Sequence, residues 1–319
     1  MRRWIMINCI GCVMLLTMQL ISSQKANAQQ TASDFFKMTL SAMKYKDYDL
    51  TVYFATKSIA LNPTFGSAYW DRAIAYDFKR EYRKAINDYD SAISYYSNNS
   101  DLATLYKNKG MVYCDMKLYD SALYDFDKSL DLNPEYGLAM WNKGIAYDGK
   151  GMYDSAVNNY TRALKHFTSV SDICQLHLLR GLAYSKLNKT EKAKNEFSEI
   201  LKLDTGYDYQ TAYAKFILKN KDSARWVIRT FILRAKGNDD EYANAYFNAA
   251  RLFSVMDNHE KSIGCLEMSF DNGYKNFRNI DTDRDFDKVR NDPKFIDLVK
   301  KYEEKDRIHN QNAHPDLKK

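Results

Sequence analysis

The sequence predicts an all-α fold, a solenoid of antiparallel helix pairs closed by a C-terminal capping segment. The first observation behind this prediction is a repeat: the tetrapeptide that begins at Tyr119 returns at Tyr153, 34 residues later. Matching leads precede the two copies, Lys109-Gly110-Met111-Val112-Tyr113 and Lys143-Gly144-Ile145-Ala146-Tyr147. The second observation is composition, since 12 Gly and 4 Pro among 319 residues leave few helix breakers beside 25 Tyr and 16 Phe. A fixed period with few breakers is typical of stacked helical repeats.

Small and aromatic residues recur at the same places in three units, which begin at Gly66, Ala103 and Gly137. In the unit from Ala103 these places hold Tyr106, Gly110, Tyr113, Tyr119, Ala122, Phe126, Ser129 and Pro134. The pattern resembles the tetratricopeptide repeat, a helix–turn–helix unit of 34 residues. The resemblance implies a right-handed superhelix in which each unit buries its apolar face on its neighbours.

The recurring residue types have a packing reason. Small residues at the eighth and twentieth places of a unit, such as Gly110 and Ala122, are expected to face each other where the two helices cross, because helix axes ~8–10 Å apart leave little room. Aromatic residues such as Tyr119 and Phe126 are expected to fill the core between successive helices. Pro134 is expected to end a second helix, because proline disfavours helical backbone in the residue before it.

The repeat register divides the chain into units. An array over 29–236 is predicted, with helix pairs at 32–65, 66–99, 103–136, 137–170 and 174–207 and a degenerate unit at 208–236. With the terminal unit described next, the array has about six or seven units. A three-residue insertion within 97–102 predicts a longer loop between the second and third units.

The C-terminal part is predicted to close the array. Residues 237–302 are expected to form a terminal repeat-like unit and a cap, because the end of a solenoid has to cover its apolar surface. The residues expected on the inner face of the cap are Phe286, Val289, Phe295, Ile296 and Val299. The charged residues 303–319 are predicted to form a disordered tail.

The first 28 residues are predicted to be a signal peptide. Arg2 and Arg3 precede a mostly apolar run from Trp4 to Ile21, and Ala26-Asn27-Ala28 offers the small residues of a cleavage site. Cleavage after Ala28 predicts a periplasmic or outer-membrane-associated protein. The alternative is an uncleaved anchor, since the apolar run approaches the ~20 residues that span a bilayer.

Charge and cysteine content limit the function classes. Residues 1–28 contain three basic residues and no acidic one, so cleavage lowers Lys and Arg from 47 to 44 against 41 Asp and Glu, a net charge of +3. This balance does not favour nucleic-acid binding. Cys114, Cys174 and Cys265 are odd in number and far apart, which does not indicate a disulfide framework.

No segment of the sequence matches a catalytic or metal-binding motif in full. The segment from Gly144 to Lys150 imitates a phosphate-binding loop, but Gly151 follows where Ser or Thr is required. Asp281, Asp283, Asp285 and Asp287 imitate a calcium loop, but Phe286 replaces the required glycine. The five histidines show no metal-ligand spacing. The sequence therefore predicts a non-enzymatic protein with no catalytic residues, no metal and no cofactor.

The resemblance implies a partner-binding groove lined by the first helix of each unit. The residues that it places there are Trp70, Ile74, Lys107, Asn108, Met111, Trp141, Asn142 and Ile145. We expect a protein or peptide partner, no nucleic acid, and membrane contact only through the signal peptide before cleavage. Three alternatives stay open: an envelope glycan-binding protein that uses Trp and Tyr as platforms, a hydrolase whose catalytic residues the motifs do not reveal, and indole rings of Trp70 and Trp141 that serve only packing.

Overall fold

The computed structural model describes residues 30–203, 208–219 and 221–313. Helix is the regular secondary structure throughout these ranges, and the predicted all-α class is confirmed. No helix in the described ranges is long and apolar enough to cross a lipid bilayer. The predicted signal peptide, residues 1–28, and residues 314–319 of the predicted tail lie outside the described residues.

Sixteen α-helices follow one another in the described residues. The first eight are α1 (Ala32–Lys44), α2 (Tyr48–Leu61), α3 (Gly66–Phe78), α4 (Tyr82–Tyr95), α5 (Asn99–Asp115), α6 (Tyr119–Leu132), α7 (Gly137–Gly149) and α8 (Tyr153–Ala163). The others are α9 (Val170–Lys186), α10 (Thr190–Lys202), α11 (Tyr209–Leu218), α12 (Lys221–Ala235), α13 (Asp239–Val255), α14 (His259–Asp271), α15 (Phe277–Thr282) and α16 (Pro293–Ala313). Short 3-10 turns follow α8 and α15, at Leu164–His166 and Arg284–Phe286.

The helices stack as the predicted solenoid of pairs. Each odd-numbered first helix packs on the second helix that follows it, from α1 with α2 to α13 with α14, and each second helix also packs on the first helix of the next pair. First helices of some neighbouring pairs touch directly, as α1 does with α3, α5 with α7 and α9 with α11. The first helices therefore form an inner layer, and their side chains from different units come together.

One backbone conformation closes the turn inside six of the pairs. The residues in this left-handed conformation, with φ between 57° and 79°, are Lys46, Arg80, Lys117, Gly151, Asn188 and Asp257. In the turn after α7, the Gly151 N–H donates to the Asp148 carbonyl (3.0 Å) and the Met152 N–H donates to the Tyr147 carbonyl (2.9 Å). This Schellman pattern satisfies carbonyls that the helix end leaves open. Glycine alone enters this conformation without a steric cost at the β-carbon.

Gly144 is required by an aromatic ring of its own helix pair. A β-carbon at position 144 would lie 2.5 Å from the Tyr160 ring, and one at position 110 would lie 2.7 Å from the Phe126 ring. The sequence prediction paired Gly110 with Ala122, whereas the atoms nearest to an added β-carbon belong to the phenylalanine. The small residue in the first helix thus makes room for the ring that fills the pair.

Three first helices are longer than the others. The helices α5, α9 and α13 have 17 residues, against 13 in α1, α3 and α7. Asn98, Ser169 and Asn238 cap them, each through a side chain that accepts the N–H of an acidic residue three positions on. The loop predicted within 97–102 is therefore wrong. Because a helical turn takes 3.6 residues, the three-residue insertion is absorbed as one extra turn at the start of α5.

The C-terminal cap covers the last helix pair with an aromatic core. Phe286, Val289, Phe295 and Val299 are buried as predicted, but Ile296 is 37% exposed, so its predicted place on the inner face is wrong. Ile296 directly follows Phe295 on α16, and one helical step of about 100° turns it away from the core.

Helix α16 continues into the predicted tail. The predicted disorder of 303–319 is wrong as far as residue 313, which ends the helix. Tyr302 fixes α16 on the preceding helix pair at the point where the predicted tail begins. Its ring stacks on Phe270 at a centroid distance of 4.7 Å, and its hydroxyl donates to Asp271. Lys275 also pairs with Asp306 at 2.8 Å.

Two aspartates of the run that resembles a calcium loop, Asp283 and Asp285, form ion pairs with Arg251. The Arg251 side chain reaches Asp283 at 2.6 Å and Asp285 at 2.8 Å, and its guanidinium lies 4.0 Å from the centroid of the Tyr209 ring. The Tyr209 hydroxyl donates to Asp285 at 2.5 Å. These contacts join α11, α13 and the 3-10 turn after α15 around one largely buried charge.

Candidate partner-binding groove

The residues predicted to bind a partner lie on the inner layer, on α3, α5 and α7. All eight are at least partly accessible: Trp70, Ile74, Lys107, Asn108, Met111, Trp141 and Asn142 are half-buried, and Ile145 is 40% exposed. Together with Asp71 and Asp148, described below, these residues are called the inner groove.

Helical spacing brings inner-groove residues onto one face of each helix. In α7, Trp141, Ile145 and Asp148 follow one another at intervals of four and three residues, which places them on one stripe. Met111 occupies the equivalent stripe of α5 and packs beside Phe126 and the core of its own pair. Since α5 and α7 touch, the two stripes form one continuous surface.

Trp70 and Trp141 pack on the buried core and also contribute to the accessible surface of the inner groove. The Trp70 ring meets the Tyr96 ring edge-on at 5.6 Å, and the Trp141 ring meets the Phe167 ring edge-on at 5.3 Å. Both indoles also pack on the buried core of their pairs. The packing role considered from the sequence therefore accounts for part of each indole, while the rest of each side chain stays accessible.

Trp70 and Asp71 carry buried polar atoms that the described residues do not satisfy. The indole nitrogen of Trp70 is a buried donor and one carboxylate oxygen of Asp71 is a buried acceptor, and neither has a hydrogen-bond partner in the described structure. Burial raises the pKa of Asp71 from 3.8 to about 6. Such groups lower the stability of the folded state, because neither solvent nor the described residues supply the missing hydrogen bonds.

Lys107 and Asn108 are brought together directly. The Lys107 ammonium donates to the side-chain oxygen of Asn108 at 2.5 Å. Asn142 lies at the equivalent place one unit later and is half-buried. The middle of the inner groove is thus polar, between the aromatic stations of α3 and α7.

Asp148 adds an acidic group at the end of α7. Burial raises the pKa of Asp148, and the nearby charges of Arg284 and Lys186 oppose this shift. Arg284 belongs to the C-terminal cap and forms an ion pair with Asp148. The C-terminal cap therefore contacts the inner groove at the C-terminal end of α7.

Four residues that shape this surface were not among the predicted site residues. Tyr96 and Phe167 stand at the ends of second helices that lack the Asn-Pro ending found at Asn62 and Asn133, so this missing ending is a readable signal. The sequence shows that Asp71 and Asp148 are polar residues, but it does not show that they are buried, because their burial depends on neighbouring units.

Comparison with known proteins identifies the repeat and the fold. A family model of the tetratricopeptide repeat matches residues 101–169, and a second model of the same repeat matches residues 175–207. No curated protein sequence matches the chain.

Two solved structures show the same helical architecture. A tetratricopeptide-repeat protein from Parabacteroides merdae has a TM-score of 0.55 and 15% identity, and the match covers 82% of this chain and 99% of that one. MamA from Desulfovibrio magneticus RS-1 has a TM-score of 0.50 and 16% identity, and the match covers 56% of this chain and 97% of that one. At such low identity these similarities concern the fold alone.

Proposed function

Because residues 101–169 and 175–207 of this chain match the tetratricopeptide repeat, we propose that its inner groove binds an extended segment of a protein partner and that the protein is a non-enzymatic scaffold of the cell envelope. Proteins of this family bind peptides or other proteins. The envelope location is supported by the predicted signal peptide of residues 1–28 and its cleavage site after Ala28.

The observation that carries the proposal is the set of half-buried polar side chains on the inner layer, Asp71, Lys107, Asn108 and Asn142. A peptide backbone in extended conformation offers carbonyl oxygens and N–H groups, which match these carboxylate, ammonium and amide groups. The partly accessible apolar side chains of Ile74, Met111 and Ile145 supply surface for the side chains of the segment. A few polar groups within an apolar lining are typical of a recognition site.

The glycan-binding alternative has less support. A sugar platform requires an open aromatic face, whereas Trp70 and Trp141 are half-buried and packed against Tyr96 and Phe167. Titration of tryptophan fluorescence with envelope oligosaccharides separates the two ideas. A saturable response that is lost in Trp141→Phe favours the glycan.

Site-specific photo-crosslinking in the native cell tests the peptide-binding proposal. A photoreactive residue at position 145 should form an adduct with one protein, and the same residue at position 268 should not. Met268 is the matched control, since it is 40% exposed like Ile145 but lies on the second helix α14. Equal adducts at both positions, or none at position 145, would argue against the groove.

A second variant distinguishes binding from folding. Asp71→Asn should reduce the adduct at position 145 by roughly tenfold, because the amide offers a weaker acceptor than the carboxylate. Its thermal stability should not fall, since the substitution removes a buried charge. An unchanged adduct in a folded Asp71→Asn protein would remove Asp71 from the site.

A further inference from the structure

The helix pair α11–α12 differs from the rest of the chain in charge. Residues 209–236 contain seven Lys and Arg and a single Asp, a net charge of +6. The remaining residues after position 28 carry 37 Lys and Arg against 40 Asp and Glu, a net charge of −3. The basic excess of the protein is therefore concentrated in one helix pair, which attracts anions at short range.

The same pair exposes large apolar side chains. Trp226 is 55% exposed, Leu233 is 62% exposed, and Ile217 on α11 is 46% exposed. The buried Ala224 aligns α12 with the second helices that carry a buried alanine at the same place, Ala85, Ala122, Ala156 and Ala193. At the place of Trp226 those helices expose Asn87, Tyr124, Asn158 and Asn195. At the place of Leu233 they expose Ser94, Asp131, Lys165 and Lys202.

Basic groups surround the exposed indole. The Lys215 ammonium lies 5.7 Å from the centroid of the Trp226 ring. A shallow hollow of about 330 Å³ beside the indole is lined by Lys215, Lys219, Asp222 and Ser223. Asp222, the one acidic residue here, pairs with Arg225 at 3.1 Å. The hollow thus presents ammonium groups next to an aromatic ring.

Beyond the membrane contact expected of the signal peptide alone, we propose that the exposed surface of α12 and the C-terminal end of α11 docks on an anionic lipid bilayer. Trp226, Leu233 and Ile217 would enter the interfacial region, where amphipathic indole rings are favoured. Lys215, Lys219 and Arg229 would reach lipid phosphates through their flexible stems. The combination of exposed tryptophan and leucine with a basic rim favours a lipid surface, because an electrostatic contact with an acidic protein would not need that apolar area.

This surface is separate from the inner groove. The inner groove lies on α3, α5 and α7, whereas the basic and apolar surface lies on α12 and the C-terminal end of α11, which belong to a later helix pair. Docking through α12 leaves the inner groove open to a partner. The proposal therefore stands or falls independently of the proposed function.

Vesicle co-sedimentation tests the docking surface. The chain from Gln29 onward is used so that the predicted signal peptide does not insert, and circular dichroism and thermal unfolding first establish that it folds like the full chain. At low salt, binding to phosphatidylcholine vesicles with about one third phosphatidylglycerol should exceed binding to pure phosphatidylcholine by roughly tenfold. Salt of about 0.5 M should remove most of this difference by screening.

Variants assign the binding to α12. Trp226→Ala combined with Leu233→Ser should lower binding to anionic vesicles by roughly tenfold. The matched control is Tyr124→Ala, which removes a 62% exposed aromatic residue from the equivalent place of α6 and should leave binding unchanged. All these side chains are exposed, so the variants should keep the wild-type melting temperature.

Three results would overturn the proposal. The first is no preference for anionic vesicles, and the second is an unchanged affinity in the folded Trp226→Ala and Leu233→Ser double variant. The third is binding to polyglutamate at low salt without binding to vesicles, which would reassign the surface to an acidic protein partner.

Discussion

Arg284 in the C-terminal cap forms an ion pair with Asp148 at the end of α7, although 136 residues separate them in the sequence. Arg80, in the turn between α3 and α4, likewise pairs with Asp281 and Glu303. In a simple solenoid each unit contacts only its neighbours. Here the cap also reaches back to earlier units, so the end of the chain borders the inner groove.

The Arg284 contact predicts a change in the pKa of Asp148. Replacing Arg284 with Ala should raise that pKa further, because burial already raises it and the arginine opposes the shift. Carboxyl-carbon NMR titration measures the effect. Arg284→Lys should restore most of the wild-type value, and equal pKa values in all three proteins would show that the cap does not hold Arg284 at Asp148 in solution.

The Arg251 cluster predicts a large loss of stability. Arg251→Ala should lower the free energy of unfolding by about 2–4 kcal/mol, because it leaves the buried carboxylates of Asp283 and Asp285 without a cation. Chemical denaturation measures the change. The control is Arg307→Ala, which removes an exposed arginine paired with Glu304 and should leave the free energy of unfolding close to that of the wild type. Similar losses in both variants would contradict the central role of Arg251.

Replacing Asp71 with Asn should stabilise the folded protein by an amount that depends on pH. Its folded pKa of about 6 exceeds the ordinary value of 3.8, so ionisation destabilises the folded state. Asp71→Asn should therefore change stability little below about pH 4, where the carboxyl is protonated in both states, and should add about 1–3 kcal/mol above about pH 6. Denaturation curves at several pH values measure the difference. A gain that does not vary with pH would exclude the carboxylate as its cause.

Two glycines predict opposite responses to the same substitution. Gly144→Ala should lower stability by about 1–3 kcal/mol, because the new methyl group would lie 2.5 Å from the buried Tyr160 ring. Gly264→Ala should raise stability by up to about 1 kcal/mol, because it lies within α14 and an added β-carbon meets nothing within 4 Å. Thermal unfolding of both variants checks the pair, and a loss at position 264 would refute the packing argument.

The places of the residues predicted to bind a partner followed from the repeat register and from the family resemblance, which implies that first helices line the groove. Trp70, Trp141 and Ile145 stand at fixed places of a 34-residue unit, so they were expected on the inner layer, and all of them keep some accessible surface. What they bind remains a proposal. The contacts of Trp70 with Tyr96 and of Trp141 with Phe167 could not be derived from the sequence. They depend on how far each second helix continues before the chain turns.

The sequence by itself determined the repeated helix pairs, because they arise from local features. Small and aromatic residues recur within each unit, and the contacts of Gly144 with Tyr160 and of Gly110 with Phe126 lie inside one pair. Tertiary structure alone decided where distant units meet. The pairing of Arg284 with Asp148, the burial of Asp71 and the continuation of α16 past residue 302 depend on the superhelix bringing separate parts of the chain together. Such contacts have no sequence period, since each is made once and across a distance that only the complete stack of helices sets.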